Sequence, residues 1–145
     1  MIRIVPMQER HLDAIAALEI ACFSAPWSRN SIASELRNKW SLWLVAEDKE
    51  EVAGYVGSQL VPLEADVMNL AVAPGKRRNG VAQRLLEALI LELKSREINS
   101  LALEVRASNL AAQKLYEKNG FQQVGCRKKY YVNPQEDALI LRKEL

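Results

Sequence analysis

Residues 72–86, VAPGKRRNGVAQRLL, decide the fold of this 145-residue chain. In order, they are the end of an apolar strand, a Pro-Gly turn, a basic loop that contains Gly80, and the beginning of a helix. This order directs backbone N–H groups, the positive end of a helix dipole and nearby guanidinium groups at one point, which suits a phosphate or pyrophosphate. The stretch has neither the Gly-Lys-Ser/Thr of a P-loop nor the three glycines of a dinucleotide fingerprint. The pattern therefore predicts an anion site, with a plain basic turn as the alternative.

The length and composition are those of one globular domain, which we place at residues 1–145. Hydrophobic residues make up 49% of the chain and charged residues 26%. The 20 basic and 18 acidic residues give a net charge of +2, which is too balanced to favour a nucleic-acid-binding protein. The N-terminal residues lack the apolar run of a signal peptide, and no segment reaches the apolar length of a membrane span. We therefore expect a cytoplasmic protein that has no direct nucleic-acid partner and no membrane partner.

Cysteine and histidine are too few to predict a metal site. Cys22 and Cys126 are far apart in sequence, no CxxC pair exists, and His11 is the single histidine. The sequence predicts two reduced thiols, buried or partly exposed, and no metal ion.

Hydrophobic periodicity predicts an α/β fold. The predicted helices are residues 8–22, 28–36, 80–96 and 109–118, and the predicted strands are 2–5, 41–47, 52–61, 66–72, 100–106, 121–126 and 137–141. Helices come early, followed by a run of strands, two strand–helix crossovers and a final hairpin. This order predicts a mixed sheet of about seven strands with helices on both of its faces.

A few polar side chains in the second half of the chain are candidates for chemistry, and each has a plainer alternative. Glu104 alternates with apolar residues in the strand LALEV, so it is either a partly desolvated general base or a solvated carboxylate. Tyr116 is either a functional hydroxyl or a core aromatic near a helix end, and Asn109 is at least a helix N-cap. Tyr130 and Tyr131 follow a basic triplet and fit either a binding surface or a strand.

Taken together, these segments resemble the GNAT superfamily of acetyl-CoA-dependent N-acetyltransferases. The general motifs are RRNGVA at residues 77–82 and the pattern Asn109…LY…GF that ends at Phe121. A more specific resemblance rests on three segments together: LEVRASNLAA at 103–112, PWS at 26–28 and RKKYY at 127–131. In these segments the chain is similar to the branch of the superfamily that acetylates the N-terminal alanine of a ribosomal protein. Two positions depart from the usual pattern: Ala82, where many members have a second glycine, and Asn79, where arginine is frequent.

The resemblance implies a GNAT fold in which a bulge splays the two central parallel strands and opens a channel for the thioester. It implies acetyl-CoA as co-substrate, with Asn109 hydrogen-bonded to the cofactor arm. The strand residues whose backbone would pair with the pantetheine are Leu70, Ala71 and Val72. The residues that would wrap the pyrophosphate are Arg78, Asn79, Gly80, Val81, Ala82 and Gln83.

The resemblance also implies which residues transfer protons and which residues bind the acceptor peptide. Glu104 would be the general base and Tyr116 the general acid. The residues that would frame the N-terminal peptide of the ribosomal protein are Phe23, Pro26, Trp27, Tyr130 and Tyr131. A peptide α-amine has a pKa of about 7.7–8.0, so a carboxylate can take its proton directly or through one water. Neither cysteine has a necessary catalytic role in such a reaction.

Two other functions remain open at the level of sequence. One is a GNAT enzyme that acts on other protein N-termini, lysine side chains or small amines. An open groove between Trp27 and the tyrosine pair would favour a peptide, and a closed pocket would favour a small amine. The other is a CoA-binding module without catalysis, which the presence of both Glu104 and Tyr116 argues against.

Overall fold

The computed structural model describes all 145 residues and consists of seven strands and four α-helices. The strands are β1 (Ile2–Pro6), β2 (Ser41–Asp48), β3 (Glu51–Val61), β4 (Glu64–Val72), β5 (Ser100–Arg106), β6 (Gln122–Tyr131) and β7 (Glu136–Glu144). The helices are α1 (Leu12–Cys22), α2 (Arg29–Glu35), α3 (Val81–Ser95) and α4 (Leu110–Lys118), with short 3₁₀ turns at Glu9–His11 and Pro74–Lys76. No helix is long and apolar enough to cross a membrane.

All seven strands form one mixed sheet in the order β1-β2-β3-β4-β5-β7-β6. Strands β4 and β5 are parallel and are joined through α3, whereas β7 inserts antiparallel between β5 and β6. One buried cluster, under α3 and α4, contains Leu85, Leu103 and Tyr116. A second cluster, on the face that α1 and α2 cover, contains Ile15, Ile32 and Tyr55. The predicted mixed sheet with helices on both faces is confirmed.

Local sequence signals explain where the helices near the site begin and end. Ser28 caps α2, because its hydroxyl oxygen accepts a hydrogen bond from the backbone N–H of Ser31 at 3.1 Å. The apolar stripe of α3 is fully buried at Leu85 and Leu89, as the helical spacing predicts. Gly120, with φ +90°, takes the left-handed conformation that follows the end of α4.

Strands β4 and β5 separate partway along their length. The β3–β4 register changes from Gly57 opposite Asn69 to Ser58 opposite Val67, so Met68 is an extra residue in β4. Such a bulge bends the strand that carries it. The pairing of β4 with β5 is restricted to residues 64–66 and 100–102, and beyond them the two strands have no ladder. The result is the V-shaped opening that the resemblance implies.

The last hairpin is longer than the sequence predicted. The sequence pattern predicts strands at 121–126 and 137–141, whereas β6 extends to Tyr131 and β7 covers Glu136–Glu144. The basic triplet at 127–129 lies in a bulge of this paired strand. Asp137 stabilises this bulge because its carboxylate accepts from the Lys129 backbone N–H at 2.9 Å and pairs with the Lys128 ammonium at 3.3 Å.

Candidate active site

A cleft of about 660 Å³ opens where β4 and β5 diverge. Eight of the residues proposed from the sequence line it: Phe23, Trp27, Leu70, Glu104, Asn109, Tyr116, Tyr130 and Tyr131. The others lie outside its walls: Pro26, Ala71, Val72 and residues 78–83. The segment 72–83 leads from the end of β4 to the beginning of α3, so it adjoins the cleft at one end only.

The beginning of α3 has the features of an anion site. Gly80 is the N-cap with φ +73°, no side chain caps the helix, and nothing lies within 4 Å of the position where a Cβ would be. The first hydrogen bond of the helix runs from the Arg84 N–H to the Gly80 carbonyl at 3.1 Å, so the N–H groups of residues 81–83 have no helical acceptor. Arg78 also has a positive φ, +66°. Exposed N–H groups and nearby guanidinium groups fit the pyrophosphate of a CoA thioester.

Two of the proposed cofactor-binding residues, Gln83 and Ala71, have only backbone atoms available for contact with a cofactor. The side-chain amide of Gln83 exchanges hydrogen bonds with the side chain of Asn119 at 2.8 and 2.9 Å, so it is held between α3 and the end of α4. The side chain of Ala71 is buried in the cluster under α1 and α2. The backbone of residues 70–72 pairs with β3 on one side and has no strand partner on the other. This free edge fits an extended arm that adds to the sheet as a strand does.

Glu104 lies on the face of β5 that points away from α3 and α4, because its neighbours Leu103 and Val105 pack into the cluster under those helices. Its side chain is 31% exposed, as expected for a partly desolvated carboxylate. The Oε2 atom is buried and accepts no hydrogen bond, and the Arg127 Nε is 3.5 Å away. A buried carboxylate oxygen without a donor is a suitable acceptor for an amine proton.

Tyr116 combines the two roles that the sequence left open. Its ring is buried and packs edge-on against Phe121 with the ring centroids 5.4 Å apart, and the residue also lines the cleft. Burial, with a smaller contribution from Tyr131, raises the pKa of the Tyr116 hydroxyl to about 12. The hydroxyl is therefore protonated at neutral pH and is a potential proton donor.

Asn109 likewise combines a structural role with a place in the cleft. Its Oδ1 caps α4 by accepting from the Ala112 N–H at 3.1 Å, and the exposed residue lies on the cleft wall. The oxygen accepts from the helix and the amide nitrogen has no hydrogen-bond partner in the protein, so the nitrogen is free to donate to a ligand.

Arg106, at the end of β5, connects the two proposed walls of the acceptor site. Its guanidinium donates to the carbonyl of Val132 at 3.1 Å and to Oγ of Ser24 at 3.2 Å, and it pairs with Glu136 at 3.2 Å. It also lies over the ring of Tyr131 at 4.4 Å. Arg106 thus joins the loop between α1 and α2 to the β6–β7 hairpin, a role that the sequence reasoning did not find.

Glu19 is a second residue that sequence reasoning missed. Its carboxylate is fully buried and accepts hydrogen bonds from the Tyr55 hydroxyl, the Trp27 backbone N–H at 2.8 Å and the Asn69 amide at 2.8 Å. These donors come from β3, from the loop after α1 and from the position just after the β4 bulge. The signal was a carboxylate on the apolar stripe of α1, where an unpaired charge would be costly.

We expect Glu19→Gln to weaken acceptor binding and lower stability. An amide cannot accept all the hydrogen bonds of the carboxylate, so at least one buried donor loses its partner at a cost of about 1–3 kcal/mol. The KM for the acceptor should rise, because the loop that carries Trp27 loses its anchor, while the KM for acetyl-CoA should not change. Urea unfolding and steady-state kinetics measure the two effects.

Tyr55→Phe is the matched control for Glu19→Gln. It removes one donor to the same carboxylate but keeps the hydrogen bond of the Trp27 N–H. This variant should lose stability without a change in the acceptor KM. Equal effects of both variants on that KM would contradict the anchoring role.

Comparison with known proteins agrees with this geometry. The acetyltransferase (GNAT) family model matches residues 12–121. The chain is 39% identical over 133 residues to the ribosomal protein bS18-alanine N-acetyltransferase of Salmonella typhimurium, an alignment that covers 90% of this chain and 88% of that protein. It is 37% identical over 136 residues to the enzyme of the same name from Haemophilus ducreyi, with 92% and 93% covered. The crystal structure of the ribosomal-protein-S18-alanine N-acetyltransferase from Escherichia coli superposes with a TM-score of 0.91 at 36% identity, covering 99% of this chain and 94% of that one.

Proposed function

Because the chain belongs to the acetyltransferase (GNAT) family, we propose that it transfers the acetyl group of acetyl-CoA to the N-terminal α-amine of ribosomal protein bS18. The relatives that align over nearly the whole chain carry that activity in their names. The observation that carries the proposal is the cleft itself, which contains a protonated phenol and a carboxylate whose buried oxygen accepts no hydrogen bond and lies 3.5 Å from the Arg127 guanidinium. Its mouth is open, and Tyr130 at its edge is 50% exposed, which favours a peptide over a small enclosed amine.

The donor would be held by backbone groups more than by side chains. The N–H groups of residues 81–83, with Arg78 and Asn79 beside them, would hold the pyrophosphate of acetyl-CoA at the beginning of α3. The free edge of Leu70–Val72 would pair with the pantetheine arm, and the Asn109 amide would donate to it. When bound, acetyl-CoA supplies an activated acyl group at the point where β4 and β5 diverge.

The acceptor amine would enter from the face covered by α1 and α2. Phe23, Pro26 and Trp27 on one side, with Tyr130 and Tyr131 on the other, would frame the peptide. Glu104 would take a proton from the α-ammonium, directly or through one water, so that the neutral amine attacks the acetyl carbonyl. A backbone N–H of the splayed β4 would stabilise the negative charge on the carbonyl oxygen. Tyr116 would donate its proton to the sulfur that leaves, and the nitrogen of the tetrahedral intermediate would return its second proton to the resulting phenolate, directly or through water, so that the CoA thiol and the neutral acetylated peptide are released.

Mass spectrometry of peptide products tests this proposal. The purified protein and acetyl-CoA are mixed with the N-terminal peptide of bS18, beginning with alanine, and with two matched peptides. One has the same sequence with a blocked N-terminus and an internal lysine, and the other begins with a different residue. We expect a gain of one acetyl group on the α-amine of the alanine peptide only. Acetylation of the lysine peptide in preference to the alanine peptide would overturn the assignment, and CoA binding without any product would indicate a non-catalytic module.

A further inference from the structure

We propose that Asp66 is a second acceptor-binding carboxylate, which pairs with the α-ammonium group of the acceptor before Glu104 removes its proton. The inference rests on the proposed function, because the ligand it concerns is a peptide α-ammonium. Asp66 belongs to none of the sequence motifs and lies in the strand predicted at residues 66–72. Its placement in the cleft carries the argument.

Asp66 lies on the same face of the sheet as Glu104. Ala65 and Val67, on either side of it in β4, pack into the cluster under α3 and α4, so the Asp66 side chain points to the opposite face. Its partner in the β4–β5 ladder is Ala102, and Glu104 is two residues further along β5. This spacing puts the two carboxyl-bearing positions about 7 Å apart along the strand direction. Both residues line the cleft at the point of divergence.

Asp66 has no partner of its own in the protein. Its lateral neighbour on β3 is Gln59, whose side-chain amide donates instead to Glu35 at 3.2 Å. On the other side, Ala102 offers no polar side-chain atom. The two guanidinium groups on the cleft wall are already beside other carboxylates: Arg127 beside Glu104 and Arg106 beside Glu136.

The surroundings of Asp66 favour a cationic ligand. Asp66 is exposed in the open cleft, but partial desolvation still raises its pKa, and the negative charge of Glu64 adds to this rise. A cation next to Asp66 would stabilise the ionised carboxylate against both effects, because it compensates for the lost solvation and for the repulsion from Glu64. Glu64 itself pairs with Arg142 at 3.4 Å and does not line the cleft.

The acceptor arrives in the form that such a carboxylate recognises. With a pKa of about 7.7–8.0, a peptide α-amine is mostly protonated at pH 7. A site with a single carboxylate would have to bind the ammonium and also accept its proton. With two carboxylates, Asp66 holds and orients the cation while Glu104 remains available as the proton acceptor.

The test compares two forms of one peptide on the CoA-bound protein. Isothermal titration measures the affinity of the alanine peptide with a free N-terminus and of the same peptide after N-acetylation, which has no charge at that end. We expect Asp66→Asn to weaken binding of the free peptide about tenfold and to leave binding of the acetylated peptide unchanged. In kinetics, the peptide KM should rise by a similar factor, with kcat within about twofold of the wild type.

Glu117→Gln is the control, since Glu117 is an exposed carboxylate of α4 that does not line the cleft. It should change neither affinity by more than about twofold. Equal weakening of both peptides by Asp66→Asn would overturn the inference, as would an unchanged peptide affinity or a loss confined to kcat. If the Asn variant does not fold, as judged by CoA affinity, Asp66→Ser repeats the comparison. A wild-type protein that acetylates no α-amine would instead overturn the proposed function, so the two failures are distinguishable.

Discussion

The Glu104→Gln enzyme is expected to lose about 10²–10⁴-fold in kcat for acetylation of the alanine peptide, because that is the usual contribution of a positioned general base. Glutamine keeps the size of the side chain but cannot take a proton. Because the amide is neutral, it also loses the ion pair with the Arg127 guanidinium, which lies 3.5 Å from Oε2 in the wild type. The affinity for CoA should be unchanged, since the proposed cofactor residues lie in β4, in the segment that leads into α3 and at the N-cap of α4, and none lies on β5. Stopped reactions analysed by mass spectrometry measure the rate, and titration with CoA measures the affinity.

The pH dependence separates a base from a residue that only shapes the cleft. In the variant, reaction depends on acceptor molecules that have already lost their proton in solution, and this fraction increases until the pH passes about 8. The difference in kcat/KM between wild type and variant should therefore narrow as the pH rises from 6 to 9. A loss of the same size at every pH would remove Glu104 from the base role. Glu117→Gln, an exposed carboxylate of α4 outside the cleft, is the control and should retain the wild-type profile.

The position of Glu104 could be predicted from sequence because it depends on short-range patterns. The strand LALEV alternates strictly, and the segment 72–86 fixes a strand, a turn and a helix in order. A parallel crossover through α3 then brings β5 next to β4. The parallel arrangement of β4 and β5, and a sheet with helices on both faces, can therefore be predicted from these elements without knowledge of contacts between distant residues.

The surroundings of Glu104 could not be predicted in the same way. The bulge at Met68 has no local sequence signature that we recognised, yet it sets where the strands separate and what Asp66 faces. Glu19 and Arg106 act through partners that are distant in sequence, such as Asn69 and Val132. Such hydrogen bonds form only in the completed sheet. The sequence therefore shows that a carboxylate or guanidinium is present, but it does not show which distant group that side chain contacts.

Tyr116→Phe is expected to lower kcat by about 10²-fold while leaving the KM for acetyl-CoA and the stability close to those of the wild type. The substitution removes only the hydroxyl and keeps the ring that packs against Phe121. Neither cause of the raised Tyr116 pKa is a hydrogen bond, so loss of the hydroxyl leaves no known partner unsatisfied. If Tyr116 only packs in the core, kcat should not change in this variant. If Tyr116 donates a proton to the leaving thiolate, kcat should fall strongly.

The raised pKa of Tyr116 gives this prediction a second readout. A proton donor is active below its pKa and is lost as the pH rises through it, so a hydroxyl with an ordinary pKa near 10 would limit the rate above pH 9. Because burial raises the Tyr116 pKa to about 12, the wild-type rate should show no alkaline decrease from this group up to pH 10. Tyr131→Phe is the control in the same cleft, since it keeps the ring under Arg106. It should retain kcat within a few-fold, and a wild-type kcat in Tyr116→Phe would assign Tyr116 to packing alone.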